Sequence, residues 1–250
     1  MSGRSCSRRG FLRSSGAAAA MVWLPGGSKG YTGAEMRARA EEGRIGQEAI
    51  SKWELDTPAL CVDLDAMEAN FDRMRETTRR NGIGFRPHVK THKTPAIAAL
   101  QIADGAVGIC TAKVSEAEAM IEHGVDRVLM TTANVTPFKI RRAMELSRRS
   151  GAFVHAVFTE PNARDLSAAA GEAGVTASVV VDVDPGLHRT GIPAGERALA
   201  LARLVDRLPN LRFRGLLCYD GASQHVEGFE ARRARTLETM EAGAETLRLL

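Results

Sequence analysis

The chain has 250 residues, of which 44% are hydrophobic and 26% charged, proportions typical of a soluble globular protein. Its formal net charge of +4 comes from the N-terminus: residues 1–30 hold four arginines and one lysine but no acid, so the remainder sums to −1. This nearly neutral remainder excludes the basic surface that nucleic acids or anionic membranes require as partners.

The first 30 residues have the pattern of an export signal. Adjacent arginines in residues 7–12 precede an apolar run of small residues at 16–24, which is too short to span a bilayer. The arginine pair followed by Phe11 and Leu12 resembles a twin-arginine signal and predicts export to the periplasm. A disordered basic tail is the alternative, and the protein is then cytoplasmic.

Secondary structure is predicted in chain order after that signal. Residues 31–57 are charged, with weak helical periodicity, and are predicted to be a linker or a short helix. From about residue 58, short β-branched runs alternate with longer helical patterns. Strands are predicted at 59–63, 84–89, 108–111, 127–131, 153–158, 177–183 and 212–218. Helices are predicted at 64–80, 95–103, 115–122, 137–149, 162–173, 194–208 and from about 226 to the end.

This alternation predicts an α/β fold with a parallel sheet over residues 58–250. Six βα units follow residue 84, and a closed (β/α)8 barrel of the TIM type needs two more. Leu250 lies in an amphipathic helical pattern that has no cap or stop signal. We therefore expect a truncated barrel from a larger protein, and an open sheet is the alternative.

The segment 85–93 carries the strongest chemical signal, with the sequence FRPHVKTHK. If it begins as a strand, alternation sends Arg86, His88 and Lys90 to one face and the apolar residues between them to the other. An amine held among other cations has a lowered pKa, which favours Schiff-base chemistry. Lys93 falls out of phase with Lys90, so Lys90 is the candidate nucleophile and Lys93 a solvated residue at a helix start.

Two further polar clusters follow predicted strands. Residues 184–191 have the sequence DPGLHRTG, whose two glycines allow close approach of the backbone to a ligand. Arg189 in the same segment supplies a planar guanidinium cation with fixed hydrogen-bond donors. A plain turn is the alternative there. Residues 219–225, YDGASQH, begin with Tyr219 and form a polar rim suited to a small ligand.

Metal-binding patterns are absent from the sequence. The six histidines are dispersed, with neither an H-x-x-x-H pair nor an H-E-x-x-H motif. No C-x-x-C pair occurs, and Cys61, Cys110 and Cys218 lie in strand-like runs, where buried thiols are expected. The sequence therefore predicts no metal site.

Three of these motifs together resemble a known family. They are residues 86–93 (RPHVKTHK), residues 182–191 (D-x-D-x-G-x-x-R-T-G) and residues 219–221 (YDG). They are similar to the D-threonine aldolase / D-serine dehydratase group of the alanine-racemase-like, fold type III pyridoxal-phosphate enzymes, over about residues 55–250. The resemblance implies a TIM-type barrel of the alanine racemase N-terminal kind, a C-terminal β-domain beyond residue 250, and a homodimer.

The resemblance also implies roles for individual residues. Lys90 would carry pyridoxal 5'-phosphate, Arg189 would contact its ring or phenolic oxygen, Tyr219 would line the pocket, and His88 would support the cofactor or act as an acid–base group. The implied activity is that of a lyase on small D-configured β-hydroxy amino acids. It is either retro-aldol cleavage to glycine and an aldehyde or elimination of the hydroxyl. A divalent metal is implied too, with its ligands and the phosphate loop beyond residue 250, so the isolated 250 residues are expected to be inactive.

Two other functions stay open. An amino-acid racemase of the same fold would need a tyrosine base from the absent domain, and the R-P-H-x-K sequence differs from that usual around racemase lysines. A non-catalytic pyridoxal-phosphate-binding protein of this fold has one domain of about this length. Such carriers are usually cytosolic, whereas the N-terminal pattern favours export.

Overall fold

A computed structural model of the chain describes residues 30–42 and 50–250. The chain divides into two compact units. The first holds the described residues up to Phe85 together with Thr94–Val107, and the second holds Arg86–Lys93 and Gly108–Leu250. Apart from Gly30, the predicted export signal lies outside the described residues. The helices within the described ranges lack the length and apolar character that a membrane crossing requires.

The first unit is helical. Its elements are α1 (Gly33–Glu41), a 3-10 helix (Lys52–Glu54), α2 (Leu64–Asn81) and α3 (Pro95–Ala103). Helix α2 begins at Asp63, whose carboxylate accepts the Ala66 N–H at 3.0 Å. It ends at Gly82, whose φ of +62° is the left-handed conformation that terminates many helices. These capping residues place α2 within a residue of its predicted bounds, and α3 has the bounds predicted for it.

The strand predicted at 59–63 is not formed. Leu60, Cys61 and Val62 are exposed, and the only bridge described in this unit joins Tyr31 to Leu55. A strand needs a ladder partner, and the apolar run finds none among the described residues. The prediction of a buried thiol at Cys61 is therefore wrong.

The second unit contains a parallel sheet. Its strands are β1 (Ile109–Thr111), β2 (Val128–Met130), β3 (Val154–Val157), β4 (Ala177–Asp184), β5 (Ile192–Pro193) and β6 (Leu211–Cys218). Its helices are α4 (Val114–Glu122), α5 (Pro137–Arg149), α6 (Glu160–Ala173), α7 (Glu196–Arg207), a 3-10 helix (Ser223–His225) and α8 (Phe229–Leu249). The sheet runs β1-β2-β3-β4, with β5 and β6 both paired to β4 and every pair parallel. The predicted parallel α/β architecture is confirmed, and the two-residue β5 and the 3-10 helix Ser223–His225 were not foreseen.

The strand predicted at 84–89 is reduced in this unit to one bridge, between His88 and Cys110. Cys110 N–H donates to the Pro87 carbonyl at 2.7 Å, and Val89 N–H donates to the Cys110 carbonyl at 2.9 Å. The chain then turns, because Lys93 N–H donates back to the Val89 carbonyl at 2.7 Å. The segment thus lies beside β1 without forming a full strand.

Strand β4 organises the core. It is paired on both edges, and Val179, Val181 and Val183 pack against aliphatic side chains of α5, α6 and α7. Since side chains alternate along a strand, Asp182 points to the opposite face of the sheet. The helix layer is therefore apolar, while the other face of the same strand carries a buried acid.

A β-bulge on β6 changes which residues face the core. Phe213 and Gly215 pair with successive residues of β4, so Arg214 is extra. Because the bulge shifts the alternation by one residue, Phe213 and Leu216 both pack against the core. Tyr219 then falls on the face opposite the helices. Without the extra residue it would point into the helix layer.

Gly191 closes the loop after β4, and its replacement by alanine is expected to destabilise the fold. Its φ is +101°, and an added Cβ would lie 2.5 Å from the Asp184 amide nitrogen and 2.7 Å from the Val183 carbonyl carbon. Strain and clash together predict a loss of about 2–3 kcal/mol in the free energy of unfolding, measured by urea titration.

Gly151→Ala is the matched control. No atom lies within 4 Å of an added Cβ at Gly151, and its φ is not positive. We expect a change of less than about 1 kcal/mol. Equal destabilisation by the two substitutions would contradict the strain argument.

Candidate active site

A cavity of about 400 Å³ opens at the carboxyl ends of the parallel strands in the second unit. Its walls come from the 86–90 segment, the ends of β1, β2, β4 and β6, and the loop after β4. Ligands of parallel α/β folds bind at this end of the strands. The four residues proposed from the sequence, His88, Lys90, Arg189 and Tyr219, all line this cavity.

Lys90 reaches the cavity because of the alternation in its segment. Pro87 and Val89 are buried on the opposite side, while Lys90 is exposed and lies along the cavity wall. Lys93 is not part of that wall, and its amine pairs with Glu116 at 3.8 Å. The two lysines thus lie in different surroundings, one along the cavity wall and the other beside Glu116.

Tyr219 offers an aromatic face to two cations. The Lys90 Nζ lies 5.9 Å from the centroid of the Tyr219 ring, and the Arg189 Cζ lies 5.2 Å from it. Attraction between a cation and the ring quadrupole stabilises such pairs. Gly221 leaves room beside the ring, since an added Cβ would make a tight contact of 3.0 Å with Tyr219.

His88 is held at both ring nitrogens. The Lys90 N–H donates to Nδ1 at 3.2 Å, and Nε2 lies 3.3 Å from the Thr131 hydroxyl. Burial and the nearby Lys90 charge lower the pKa of His88, against an opposing effect of Glu116. The ring is therefore neutral at physiological pH.

The two acids at the end of β4 have pKa values shifted in opposite directions. Asp182 lines the cavity and is only 5% exposed; burial raises its pKa to about 6, against the opposing effects of a hydrogen bond with Thr190 and the Arg189 charge. Burial acts in the same direction on Asp184, but hydrogen bonds from His188 and Gly186 outweigh it and lower the pKa of Asp184. Asp182 therefore takes up a proton at a higher pH than Asp184 does, and Asp184 stays charged at neutral pH.

The predicted polar rim at 219–225 is wrong beyond Tyr219. Asp220 accepts the N–H groups of Ala222 and Ser223 at 3.0 and 3.2 Å, so its carboxylate closes its own turn. The Gln224 amide donates to the Gly221 carbonyl at 3.0 Å. Local hydrogen bonds satisfy these side chains, and none of them lines the cavity.

Several cavity residues were not predicted from the sequence to belong to a site. Cys110, Thr131, Thr132 and Thr190 line the wall. The first three lie at the carboxyl ends of strands predicted at 108–111 and 127–131, so their position was a usable signal. Burial raises the pKa of Cys110 to about 11, against the opposing Arg86 charge, so this thiol stays protonated.

The described residues offer no metal centre. Among residues 30–42 and 50–250, no group of three or more His, Cys, Asp or Glu side chains is placed to hold a metal ion.

Comparison with known proteins identifies the fold family. The family described as "Alanine racemase, N-terminal domain" matches residues 62–249. The chain is 38% identical over 183 residues to a 3-hydroxy-D-aspartate aldolase of Paracoccus denitrificans strain Pd 1222, covering 73% of this chain and 47% of that protein. It is 36% identical over 196 residues to a D-threonine aldolase of Arthrobacter sp, covering 78% of this chain and 52% of that protein.

A solved structure agrees with these matches. The crystal structure of D-threonine aldolase from Filomicrobium marinum superposes with a TM-score of 0.75 at 40% identity, covering 77% of this chain and 52% of that one. The chain thus spans about half the length of the relatives it matches. The predicted α/β fold of the alanine racemase N-terminal kind is confirmed. The chain belongs to the alanine racemase N-terminal domain family, in the branch of D-threonine aldolase and D-serine dehydratase that its motifs resemble.

Proposed function

We propose that this chain forms the cofactor-binding part of a pyridoxal-phosphate-dependent lyase that acts on D-configured β-hydroxy amino acids. The observation that carries the proposal is the convergence of Lys90, Arg189 and Tyr219, from three separate segments, on one cavity. Relatives named as aldolases of D-threonine and 3-hydroxy-D-aspartate, and as a D-threo-3-hydroxyaspartate dehydratase, support this substrate class.

The side chains present fit the ring of pyridoxal phosphate. Lys90 supplies a primary amine, Tyr219 an aromatic face and Arg189 a guanidinium suited to an anionic ring oxygen. When bound, the cofactor supplies an electron sink that lets a bond at the substrate Cα break heterolytically. The divalent metal that the resemblance implies would take its ligands from beyond residue 250, and the described residues hold no cluster for it.

The protein's own residues divide the remaining work. Lys90 Nζ would hold the cofactor, and its free amine would be the base for the proton at the substrate Cα, as elimination of the hydroxyl requires. Retro-aldol cleavage instead needs a base at the β-hydroxyl. Arg189 and Tyr219 would orient the ring, and Asp182, whose pKa burial raises to about 6, lines the same cavity.

Competing functions make different demands on the chain. A racemase needs a second base on the opposite face of the substrate, and a non-catalytic carrier needs only Lys90. Periplasmic location and a homodimer remain part of the proposal on sequence grounds alone.

Lys90→Ala is expected to abolish covalent capture of pyridoxal phosphate. Full-length protein is incubated with the cofactor, reduced with borohydride and digested with trypsin for mass spectrometry. The reduced adduct should appear on the peptide 81–93, because modified Lys90 is not cleaved and the Arg86–Pro87 bond resists trypsin.

Lys93→Ala is the control, since that amine lies outside the cavity wall. It should retain the adduct and the visible absorbance of the bound cofactor. An adduct that persists in Lys90→Ala, or one that is lost only in Lys93→Ala, would refute the assignment.

Asp182 and Asp184 predict opposite dependences of the free energy of unfolding on pH. The pKa of Asp182 rises from 3.8 to about 6 on folding, so the wild type loses stability as pH rises between those values. Asp182→Asn should therefore gain about 2–3 kcal/mol of unfolding free energy at pH 7.5 and nothing near pH 4.

Asp184→Asn should show the reverse. Because folding lowers the pKa of Asp184, its charged form stabilises the native state at neutral pH, and that stability is lost as pH falls through the lowered pKa. Urea titrations across this range measure both variants. A gain in stability at pH 7.5 for Asp184→Asn would contradict the assignment.

A further inference from the structure

Lys90 is connected to strand β1 by a chain of three hydrogen bonds. The Lys90 N–H meets His88 Nδ1 at 3.2 Å, and His88 Nε2 meets the Thr131 hydroxyl at 3.3 Å. The Thr131 hydroxyl in turn donates to the Thr111 carbonyl at 3.1 Å. The Thr131 N–H donates to the same carbonyl at 2.9 Å, which fixes the threonine backbone as well.

The direction of these bonds determines the proton position on His88. A backbone N–H can only donate, so Nδ1 must be the acceptor and carry no proton. A neutral imidazole then bears its proton on Nε2, which donates to the Thr131 oxygen. The Thr131 hydroxyl can accept that bond because its own proton goes to Thr111.

The backbone of Lys90 depends on this arrangement. Lys90 lies in the turn that Lys93 N–H closes on the Val89 carbonyl, past the end of the bridge to β1. Its amide is held by the His88 ring rather than by a ladder partner. The orientation in which Lys90 leaves the turn is therefore set by which nitrogen of His88 is unprotonated.

We propose that Thr131 is a positioning residue, which holds His88 in its Nε2-protonated form so that Nδ1 anchors the Lys90 amide and directs the Lys90 amine into the cavity. This inference rests on the proposed function, in which Lys90 is the cofactor lysine. It also gives His88 a task other than acid–base catalysis, because both of its ring nitrogens are already engaged.

The first test is the tautomer itself, read without cofactor. Full-length protein labelled with ¹⁵N-histidine is examined by NMR at pH 7.5, and His88→Asn identifies the His88 signals by their loss. Wild type and Thr131→Ser should show an unprotonated Nδ1 and a protonated Nε2. Thr131→Val, which has the same shape without the hydroxyl, should show a mixed population.

Thr132→Val is the matched control. Thr132 lines the same cavity one residue further on and is not a partner of the His88 ring nitrogens. It should leave the His88 signals unchanged. A wild-type His88 protonated on Nδ1, or a Thr131→Val spectrum identical to wild type, would overturn the proposal.

The second test is cofactor capture by Lys90. Loss of one anchoring hydrogen bond predicts that the pyridoxal phosphate concentration for half-maximal adduct rises by up to roughly tenfold in Thr131→Val and recovers in Thr131→Ser. An unchanged concentration in Thr131→Val would overturn the positioning role. Absence of adduct in every variant, wild type included, would refute the proposed function instead, and the NMR result would still decide the tautomer assignment.

Discussion

The burial of β4 on both faces is the constraint on which the second unit depends. The strand has partners on both edges and is buried on both faces, so each side chain must enter either the helix layer or the opposite face of the sheet. Val179, Val181 and Val183 fill the helix layer, and the residues between them therefore face the ligand side. An acid at position 182 is tolerated because a cavity lies there, with Thr190 and Arg189 close enough to interact with it.

The bulge on β6 is the second constraint, and it decides whether the cavity has an aromatic wall. Strict alternation from Phe213 would send Tyr219 into the helix layer, where a hydroxyl would need a buried partner. The extra Arg214 reverses the phase before Tyr219 is reached. Gly215, with φ at +127°, adopts a backbone conformation that other residues rarely accept. The single extra residue thus determines whether the Tyr219 ring lies on the cavity side, where the Lys90 and Arg189 cations are near it.

Sequence reasoning succeeded where alternation or helical periodicity was sufficient. The bounds of α3 and α5 follow from local pattern. The prediction failed where a strand depends on a neighbouring strand to pair with: residues 59–63 have strand character but pair with no strand among the described residues. The bulge on β6 was likewise hidden, since Gly215 in a strand pattern does not reveal the register of its neighbour. The side chains of Asp220 and Gln224 looked available for a ligand but are engaged in their own turn.

Asp182 and Asp184 show why residue type alone could not assign chemistry within the site. They lie two positions apart on β4, so alternation gives them the same parity, yet burial dominates one and hydrogen bonding the other. Inside the sheet the backbone N–H groups are used in strand pairing, so they are not available to Asp182. Only the side chains of Thr190 and Arg189 act to lower its pKa. At the strand end the ladder stops, and the free amides of the following loop converge on Asp184. The end of the strand thus lowers the pKa of one carboxyl, whereas burial inside the sheet raises the pKa of its neighbour to about 6.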